Sequence, residues 1–174
     1  MDVLYGLDVA VRRWFAGINF PALDRVMVTA TIIGTASMIW IILGLMVAVR
    51  KPSVRPGVWQ LLLALGLTGL IVDDVLKPSL ARERPWVSIA DVRVIATRPV
   101  TYSLPSGHAA TAFAGAYGLT RLVRRRHGVI WALAILIALS RVYVGVHYPS
   151  DVLAGAVVGL SCGAFVFAGA RWDD

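Results

Sequence analysis

The sequence predicts an all-α fold: an integral membrane helical bundle of about five transmembrane helices, with an interfacial amphipathic helix at the N-terminus. Hydrophobic residues make up 58% of the 174 positions and charged residues only 16%, which is too apolar for an ordinary soluble domain. Long apolar stretches recur along the chain, and basic residues collect in the short segments between them. No linker is long enough to divide domains, so we expect one membrane-embedded domain over residues 1–174.

Residues 1–20 form the first expected element. Apolar side chains recur there at helical spacing: Val3, Leu4, Leu7, Val11, Trp14, Phe15 and Ile18. Asp8, Arg12 and Arg13 fall on the opposite face. The pattern predicts an amphipathic helix on the outer membrane surface that ends near Pro21. A helix that packs against the bundle as a structural strap fits the pattern equally well.

Five apolar stretches follow. A transmembrane helix needs about 20 apolar residues, and four stretches qualify: 26–49, 58–76, 129–145 and 152–170. A fifth, 109–123, is shorter. It can span the membrane if its helix begins in the preceding Pro-Ser-Gly-His segment and Arg121 extends toward the headgroups.

Basic residues predict the orientation of the bundle. They follow the first, third and fifth spans: Arg50, Lys51 and Arg55; Arg121, Arg124, Arg125 and Arg126; and Arg171. The positive-inside rule places these clusters in the cytoplasm, so residues 77–108 and the segment around His147 face the extracytoplasmic side of a cell (inner or plasma) membrane. The net charge of +7 does not indicate nucleic-acid binding, because the basic residues do not share one soluble face.

Three polar segments interrupt the apolar pattern: KPSLARERP at 77–85, PSGH at 105–108 and SRVYVGVHYPSD at 140–151. Charge near the centre of a membrane helix costs about 2.5–3.5 kcal/mol per side chain on insertion scales, so this clustering indicates a functional site. Lys77, Arg84 and Arg141 would supply three cations, which suit the charge on the equatorial oxygens of a phosphoryl group in transfer. The remaining arginines of this side are expected only to contact lipid headgroups: Arg82, Arg93 and Arg98.

Two histidines are candidates for the chemistry. If the last helix begins near His147, Asp151 lies on the same face one turn later. Asp151 can then accept a hydrogen bond from one ring nitrogen and leave the other as an oriented nucleophile. Where the third span starts, backbone N–H groups of Ser106 and Gly107 can point at an anion, and His108 is placed to act as a general acid.

These segments together resemble the three signature motifs of the type 2 phosphatidic acid phosphatase superfamily. The motifs are Lys77 separated by six residues from Arg84-Pro85, then PSGH at 105–108, then Ser140-Arg141 followed by His147 and Asp151. The resemblance implies that His147 attacks phosphorus to give a phosphohistidine, that Asp151 orients it, and that His108 protonates the leaving group and later activates water. It implies that the phosphate is held without metal or cofactor by Lys77, Arg84, Ser106, Gly107 and Arg141.

The N-terminus departs from the family pattern. Many bacterial members have six spans, whereas here the interfacial helix replaces the first one, which leaves the route of lipid access open. The expected partners are a lipid phosphate substrate and membrane lipids, with no nucleic acid. Undecaprenyl diphosphate is our first choice of substrate, and phosphatidylglycerophosphate, phosphatidic acid and lipid A phosphates are alternatives. The motifs carry no information on the lipid tail or on the oligomeric state.

Other interpretations of the same residues remain. His108, His147 and Asp151 match the composition of a three-ligand hydrolytic zinc site, although three nearby cations would repel a metal. A small membrane transporter is an alternative of a different class, because charges within a membrane often line an ion path. Asp74, one turn before Lys77, either positions that ammonium group or marks the water interface.

Overall fold

The computed structural model describes residues 3–18, 20–89, 92–123 and 125–169. Within these ranges all regular structure is helical, in agreement with the predicted all-α class. The α-helices are α1 Val3–Gly17, α2 Pro21–Ile33, α3 Met38–Arg50, α4 Arg55–Gly69, α5 Lys77–Leu80, α6 Pro85–Ser88, α7 Gly107–Leu122, α8 His127–Tyr143 and α9 Pro149–Val166. Short 3₁₀ turns precede α3 and α4, and a π-helical segment, Leu70–Leu76, connects α4 to α5.

Helix α7 lies at the centre and packs against α3, α4, α8 and α9. Its closest neighbour is α9: a Cβ atom added at Gly159 would lie 2.0 Å from the carbonyl oxygen of Ala110, and one at Gly155 would lie 2.4 Å from that of Ser106. Small residues at such spacing let two helices approach closely. This contact fixes the start of α9 against the start of α7.

The first predicted span is not one straight helix. The α2 segment and the segment Thr35–Arg50 meet at an angle of 59°, because Ala36 and Ser37 adopt left-handed backbone angles with φ of 49° and 60°. Gly34 lies at the break, packed so closely that an added Cβ would be 2.5 Å from Ile137. The prediction of continuous helix over 26–49 is therefore wrong, and the break leaves a concave surface beside the start of α7.

Length and apolar composition identify the helices of the described chain that can cross a membrane. Two helical segments of the described chain, Pro52–Ser88 and Pro149–Val166, are long and apolar enough to cross a membrane, and the bent α2–α3 pair would make a third. Helix α8 is apolar but shorter. The protein is an integral membrane helical bundle, while the count of five spans stays a prediction.

Helix α1 turns its polar face toward the protein. The side chains of Asp8 and Arg12 are 2% and 0% exposed, whereas Val3 is 82% and Trp14 65% exposed. The helix ends at Gly17, and α2 begins at Pro21, close to the predicted boundary. The buried Asp8 and Arg12 agree with the interpretation of α1 as a helix that packs against the bundle. The exposed apolar face is the surface that the interfacial interpretation would bury in lipid.

Candidate active site

A cavity of about 360 Å³ lies where the α2–α3 break, the end of the π-helical segment and the start of α7 converge. Six of the residues predicted from the motifs line it: Lys77, Arg84, Gly107, His108, Arg141 and His147. The other two, Ser106 and Asp151, are fully buried behind its wall. Its size is within the usual range for small-molecule sites.

His147 presents one ring nitrogen to the cavity side and the other to a carboxylate. Nε2 lies 3.3 Å from Nη1 of Arg84, and Nδ1 lies 3.4 Å from Oδ2 of Asp151. A guanidinium can only donate, so Nε2 must be the accepting nitrogen and the ring proton resides on Nδ1, toward the carboxylate. In this tautomer the Nε2 lone pair accepts from Arg84, and both side chains line the cavity.

The imidazole of His147 is held in its neutral form. Burial is the largest cause and lowers the pKa of His147 to about 4; the hydrogen bond with Asp151 opposes that shift, and the charges of Arg84 and Arg141 reinforce it. At neutral pH the ring is therefore unprotonated, as a nucleophile requires.

Asp151 is held by groups on three sides. Its Oδ2 accepts from the hydroxyl of Ser103 at 2.5 Å and from the backbone N–H of Tyr148 at 2.9 Å. Its Oδ1 accepts from Arg82 at 2.7 Å. Helix α9 begins at Pro149, two residues later than expected. The carboxylate of Asp151 caps this helix start by accepting from the N–H of Tyr148, and the same oxygen lies next to His147.

Arg82 does not point to lipid headgroups, so that expectation was wrong. Its guanidinium bonds Asp151, the hydroxyl of Ser150 and the carboxylate of Asp8, each at 2.7 Å. It also lies 4.1 Å from the centre of the Tyr148 ring, a distance suited to a cation–π contact. Asp8 is therefore a buried partner of Arg82, which the sequence pattern, placing Asp8 on a polar helix face, did not identify.

Arg93 is also paired within the protein. Its two terminal nitrogens bond the two carboxylate oxygens of Asp24, at 3.1 and 2.5 Å. The expectation of headgroup contact was therefore wrong for Arg93 too, whereas Arg98 is exposed as expected. In both corrected cases an acidic partner lies near the N-terminus, far along the chain from the arginine: Asp8 for Arg82 and Asp24 for Arg93.

Arg84 is fixed by the loop that precedes α7. It donates to the carbonyl oxygens of Thr101, Tyr102 and Val146 at 2.6, 3.0 and 2.9 Å. Three carbonyl acceptors hold the planar fork in one orientation. No motif identified Thr101 as a contact of Arg84.

Lys77 is paired with Asp73 rather than with Asp74. The two atoms Lys77 Nζ and Asp73 Oδ1 are 2.6 Å apart. The π-helical segment has more residues per turn than an α-helix, so the fourth residue before Lys77 faces it instead of the third. The hypothesis that Asp74 positions Lys77 is therefore wrong by one residue.

The start of α7 brings two further groups to the cavity. Ser106 caps the helix by accepting from the N–H of Ala109 at 3.4 Å, and its own N–H donates to the carbonyl of Asp151 at 2.9 Å. Ser106 thus supports the helix start rather than lining the cavity. The N–H groups of Gly107 and His108 precede the first intrahelical hydrogen bond and are the natural anion donors.

His108 has an unpaired nitrogen. Its Nε2 is buried and has no hydrogen-bond partner among the described residues, while its ring lines the cavity. Buried polar atoms are rarely left unpaired. An unpaired imidazole nitrogen at the cavity wall fits a group that exchanges a proton with a ligand.

The described residues contain no group of three or more His, Cys, Asp or Glu arranged to hold a metal ion. His108, His147 and Asp151 therefore do not form the three-ligand site considered above. The carboxylate of Asp151 is instead engaged by Arg82, Ser103 and Tyr148.

The family model of the PAP2 superfamily matches residues 57–173. This range contains all eight residues that the motifs predicted. The chain belongs to the PAP2 superfamily. The resemblance drawn from the motifs is thereby confirmed.

Individual PAP2 proteins extend the likeness. The undecaprenyl-diphosphatase of Sulfolobus acidocaldarius is 35% identical over 91 residues, 52% of this chain and 44% of that protein. The lipid A 4'-phosphatase of Bacteroides thetaiotaomicron is 30% identical over 91% of this chain and 75% of its own length. The crystal structure of a transmembrane PAP2-type phosphatidylglycerolphosphate phosphatase from Bacillus subtilis matches with a TM-score of 0.79 and 27% identity, over 95% of this chain and 85% of that one. The chain spans less than half the length of the first of these relatives.

Proposed function

We propose that this PAP2 protein is a metal-independent phosphatase that hydrolyses a lipid phosphate monoester or diphosphate through a phosphohistidine at His147. The observation that carries the proposal is the state of this one side chain. Its Nε2 accepts from Arg84, a hydrogen bond that an incoming phosphoryl group would replace, while Nδ1 lies next to the buried carboxylate of Asp151. The proposed nucleophile, His147, therefore contacts both its orienting group, Asp151, and a cation for the reacting phosphoryl group, Arg84.

In the proposed first step the phosphoryl group lies among Lys77, Arg84 and Arg141, near the N-terminus of α7. The Nε2 lone pair attacks phosphorus as the bond to the leaving oxygen breaks, and His108 gives its proton to that oxygen. Asp151 stabilises the positive charge that develops on the imidazole of His147. His108 must be protonated when substrate is bound, and the adjacent negative charge of the phosphate favours that form.

The second step returns the protein to its starting state. His108, now neutral, takes a proton from water as the water oxygen attacks the phosphohistidine. The P–N bond breaks, inorganic phosphate leaves, and the electron pair returns to Nε2 of His147. His108 is again protonated for the next turnover, so the two steps balance without a co-reactant.

The shape of the cavity supports an amphipathic substrate. Its wall continues from the charged groups to Leu65 and Gly69 of α4 and to the α2–α3 break at Ala36, which would accommodate the first part of an apolar tail. Undecaprenyl diphosphate is the substrate we favour, supported by the Sulfolobus relative. Phosphatidylglycerophosphate, phosphatidic acid and lipid A phosphates are the alternatives, two of which the Bacillus and Bacteroides relatives support.

We further propose that the site faces the extracytoplasmic side of the plasma membrane. The basic residues of two clusters lie at the opposite helix ends from the site: Arg50 ends α3, and Arg121 lies in the last turn of α7, whose first residues line the cavity. This arrangement follows the positive-inside rule. The charged groups of the site surround one cavity and do not form a line through the bundle, so the transporter hypothesis gains no support.

The test is phosphate release by purified protein in detergent with a metal chelator. Undecaprenyl diphosphate, phosphatidylglycerophosphate and phosphatidic acid are offered side by side, with His147→Ala as the control. We expect release that chelator leaves unchanged and that the variant loses. An acid-labile, base-stable phosphoprotein trapped in wild type and missing from the variant would identify the intermediate, and activity retained in His147→Ala would refute the mechanism.

A further inference from the structure

We propose that Asp8 of α1 is a positioning residue for this reaction: through Arg82 and Ser150 it holds the carboxylate of Asp151 in place, so that full turnover depends on the seating of the N-terminal helix. The inference rests on the proposed function, because it assigns Asp8 to the same site. Asp8 lies outside the range matched by the family model, residues 57–173. None of the three motifs contains it.

The first observation is the burial of Asp8 and the number of its contacts. Only 2% of the residue is exposed. Its Oδ1 accepts from the backbone N–H of Ser150 at 2.9 Å, and its Oδ2 accepts from Arg82 at 2.7 Å and from the hydroxyl of Ser150. A carboxylate is costly to bury unless it is paired and hydrogen-bonded, and every one of these partners belongs to the surroundings of Asp151.

The second observation is that one guanidinium joins two carboxylates. Arg82 gives Nη2 to Asp8 and Nη1 to Oδ1 of Asp151, both at 2.7 Å. The far oxygen of Asp151, Oδ2, faces Nδ1 of His147 at 3.4 Å. Contacts therefore run without a gap from α1 to the nucleophile, and each link is a charge-assisted hydrogen bond or an ion pair.

The charges of this chain of contacts explain why Asp8 matters for the reaction. Arg82 now divides its positive charge between two carboxylates. If Asp8 became neutral, that charge would act on Asp151 alone and weaken its ability to stabilise the imidazolium form of His147. The other charged groups near His147, Arg84 and Arg141, are cations, so among the described residues no second carboxylate next to the ring would compensate.

The third observation concerns how α1 is seated. Its second buried charge, Arg12, donates to the carbonyl of Arg93 at 2.6 Å, one turn beyond Asp8. That contact requires Gly145, whose φ is +90° and whose added Cβ would lie 2.6 Å from Arg12. Asp8 and Arg12 thus fix the polar side of α1 to the bundle, while its apolar side stays exposed. In this way α1 links an exposed apolar surface to the contacts of Asp151.

The experiment compares Asp8→Asn with a matched control, Asp24→Asn, in the full chain. Asp24 also pairs with an arginine, Arg93, and accepts from Tyr143 at 2.7 Å. Its link to α1 runs through the backbone carbonyl of Arg93, which accepts from Arg12 and which an asparagine at position 24 leaves in place. We expect Asp8→Asn to lower kcat about tenfold with KM within twofold, and to move the acid limb of kcat/KM to lower pH. Asp24→Asn should lower Tm to a similar degree and leave kcat per folded molecule and the pH profile unchanged.

A double-mutant cycle completes the test. Because Asp8 reaches the Asp151 carboxylate by way of Arg82, Asp8→Asn should cost less activity in an Arg82→Gln background than in wild type, and the remaining cost measures its contacts with Ser150. Additive losses would overturn the inference, as would an Asp8→Asn variant with wild-type kcat or one whose loss only follows its folded fraction. If Asp8→Asn gives no folded protein, Asp8→Glu, which keeps the charge, replaces it: a displaced carboxylate should lower kcat per folded molecule, and unchanged kcat would count against the role.

The same measurements separate this inference from the proposed function. Wild-type protein must release phosphate, and His147→Ala must not, before any change in Asp8→Asn is interpreted. A wild type without phosphate release, or an active His147→Ala variant, overturns the phosphohistidine mechanism and the role of Asp8 together. An active wild type, an inactive His147→Ala variant and a fully active Asp8→Asn variant overturn the role of Asp8 alone.

Discussion

Nη1 of Arg84 lies 3.3 Å from Nε2 of His147, so a permanent cation faces the nitrogen that is proposed to attack phosphorus. The same nitrogen of Arg84 also donates to the carbonyl of Val146 at 2.9 Å. The guanidinium is thus oriented before any substrate binds. It fixes the tautomer of the nucleophile and offers a positive charge where the phosphoryl oxygens would lie.

Arg84→Lys should lower kcat/KM about 100-fold, with the overall fold retained. A lysine ammonium keeps the charge but cannot donate in a fixed fork to Thr101, Tyr102 and Val146 at once. Phosphate release by purified protein measures the effect. Arg98→Lys, at an exposed position, is the matched control and should behave as wild type; an Arg84→Lys variant with similar activity would show that charge alone suffices.

His147 should become protonated near pH 4, not near 6.5, the ordinary pKa of histidine. Burial lowers the pKa of His147 to about 4; Arg84 and Arg141 reinforce this shift and Asp151 opposes it. Above that pH the ring is neutral and can attack; below it the ring is protonated and cannot. NMR titration of the imidazole in free protein, assigned with His147→Ala, measures this directly and avoids the ionisation of the substrate. A midpoint near 6.5 would contradict the buried, cation-flanked site.

Asp73 and Asp74 are adjacent but should respond differently to substitution. Asp73→Asn removes the carboxylate that holds Lys77 Nζ at 2.6 Å and should lower kcat/KM about fivefold, since the lysine loses its fixed position. Asp74→Asn should leave turnover unchanged. The opposite ranking, measured under identical conditions, would show that the π-helical segment does not set which residue faces Lys77.

The close contact of α7 and α9 can be tested with two glycines. Gly159→Ala would put a Cβ 2.0 Å from the carbonyl of Ala110, and the forced separation should destabilise the protein by about 1–3 kcal/mol, as overpacking does. Gly66→Ala in α4, with nothing within 4 Å of the added atom, should be neutral or slightly stabilising. The two Tm values in the same detergent give the comparison, and equal values would contradict the packing described.

The sequence was sufficient to predict the helical class and six of the residues that line the cavity, for a physical reason. Charged residues near a membrane are rare, so those that collect on one side, such as Lys77, Arg84 and Arg141, stand out against an apolar background. The spacing of His147 and Asp151 also indicated that the two side chains meet; in the structure they do so because the carboxylate reaches back over the start of α9, not across one helical turn.

What could not be predicted depends on geometry that periodicity does not encode. One partner of Arg82 is Asp8, on a helix whose amphipathic pattern left open whether it lies on the membrane surface or packs against the bundle. Ser103 contacts Asp151 from an irregular loop, where no spacing rule applies. The shift from Asp74 to Asp73 and the break at Ala36 both follow from local departures from α-helical geometry, which the apolar composition of those stretches does not reveal.

The tight contact between Gly159 and Ala110 also limits how the site can move. The first turn of α9, which carries Asp151, is also joined by a backbone hydrogen bond to the start of α7, since the N–H of Ser106 donates to the carbonyl of Asp151. These two helices therefore behave as one rigid block. Under the proposed function, a lipid that needs more room would gain it from the opposite wall, where α2 and α3 meet at a bend, while the part of the site on α7 and α9 keeps its geometry.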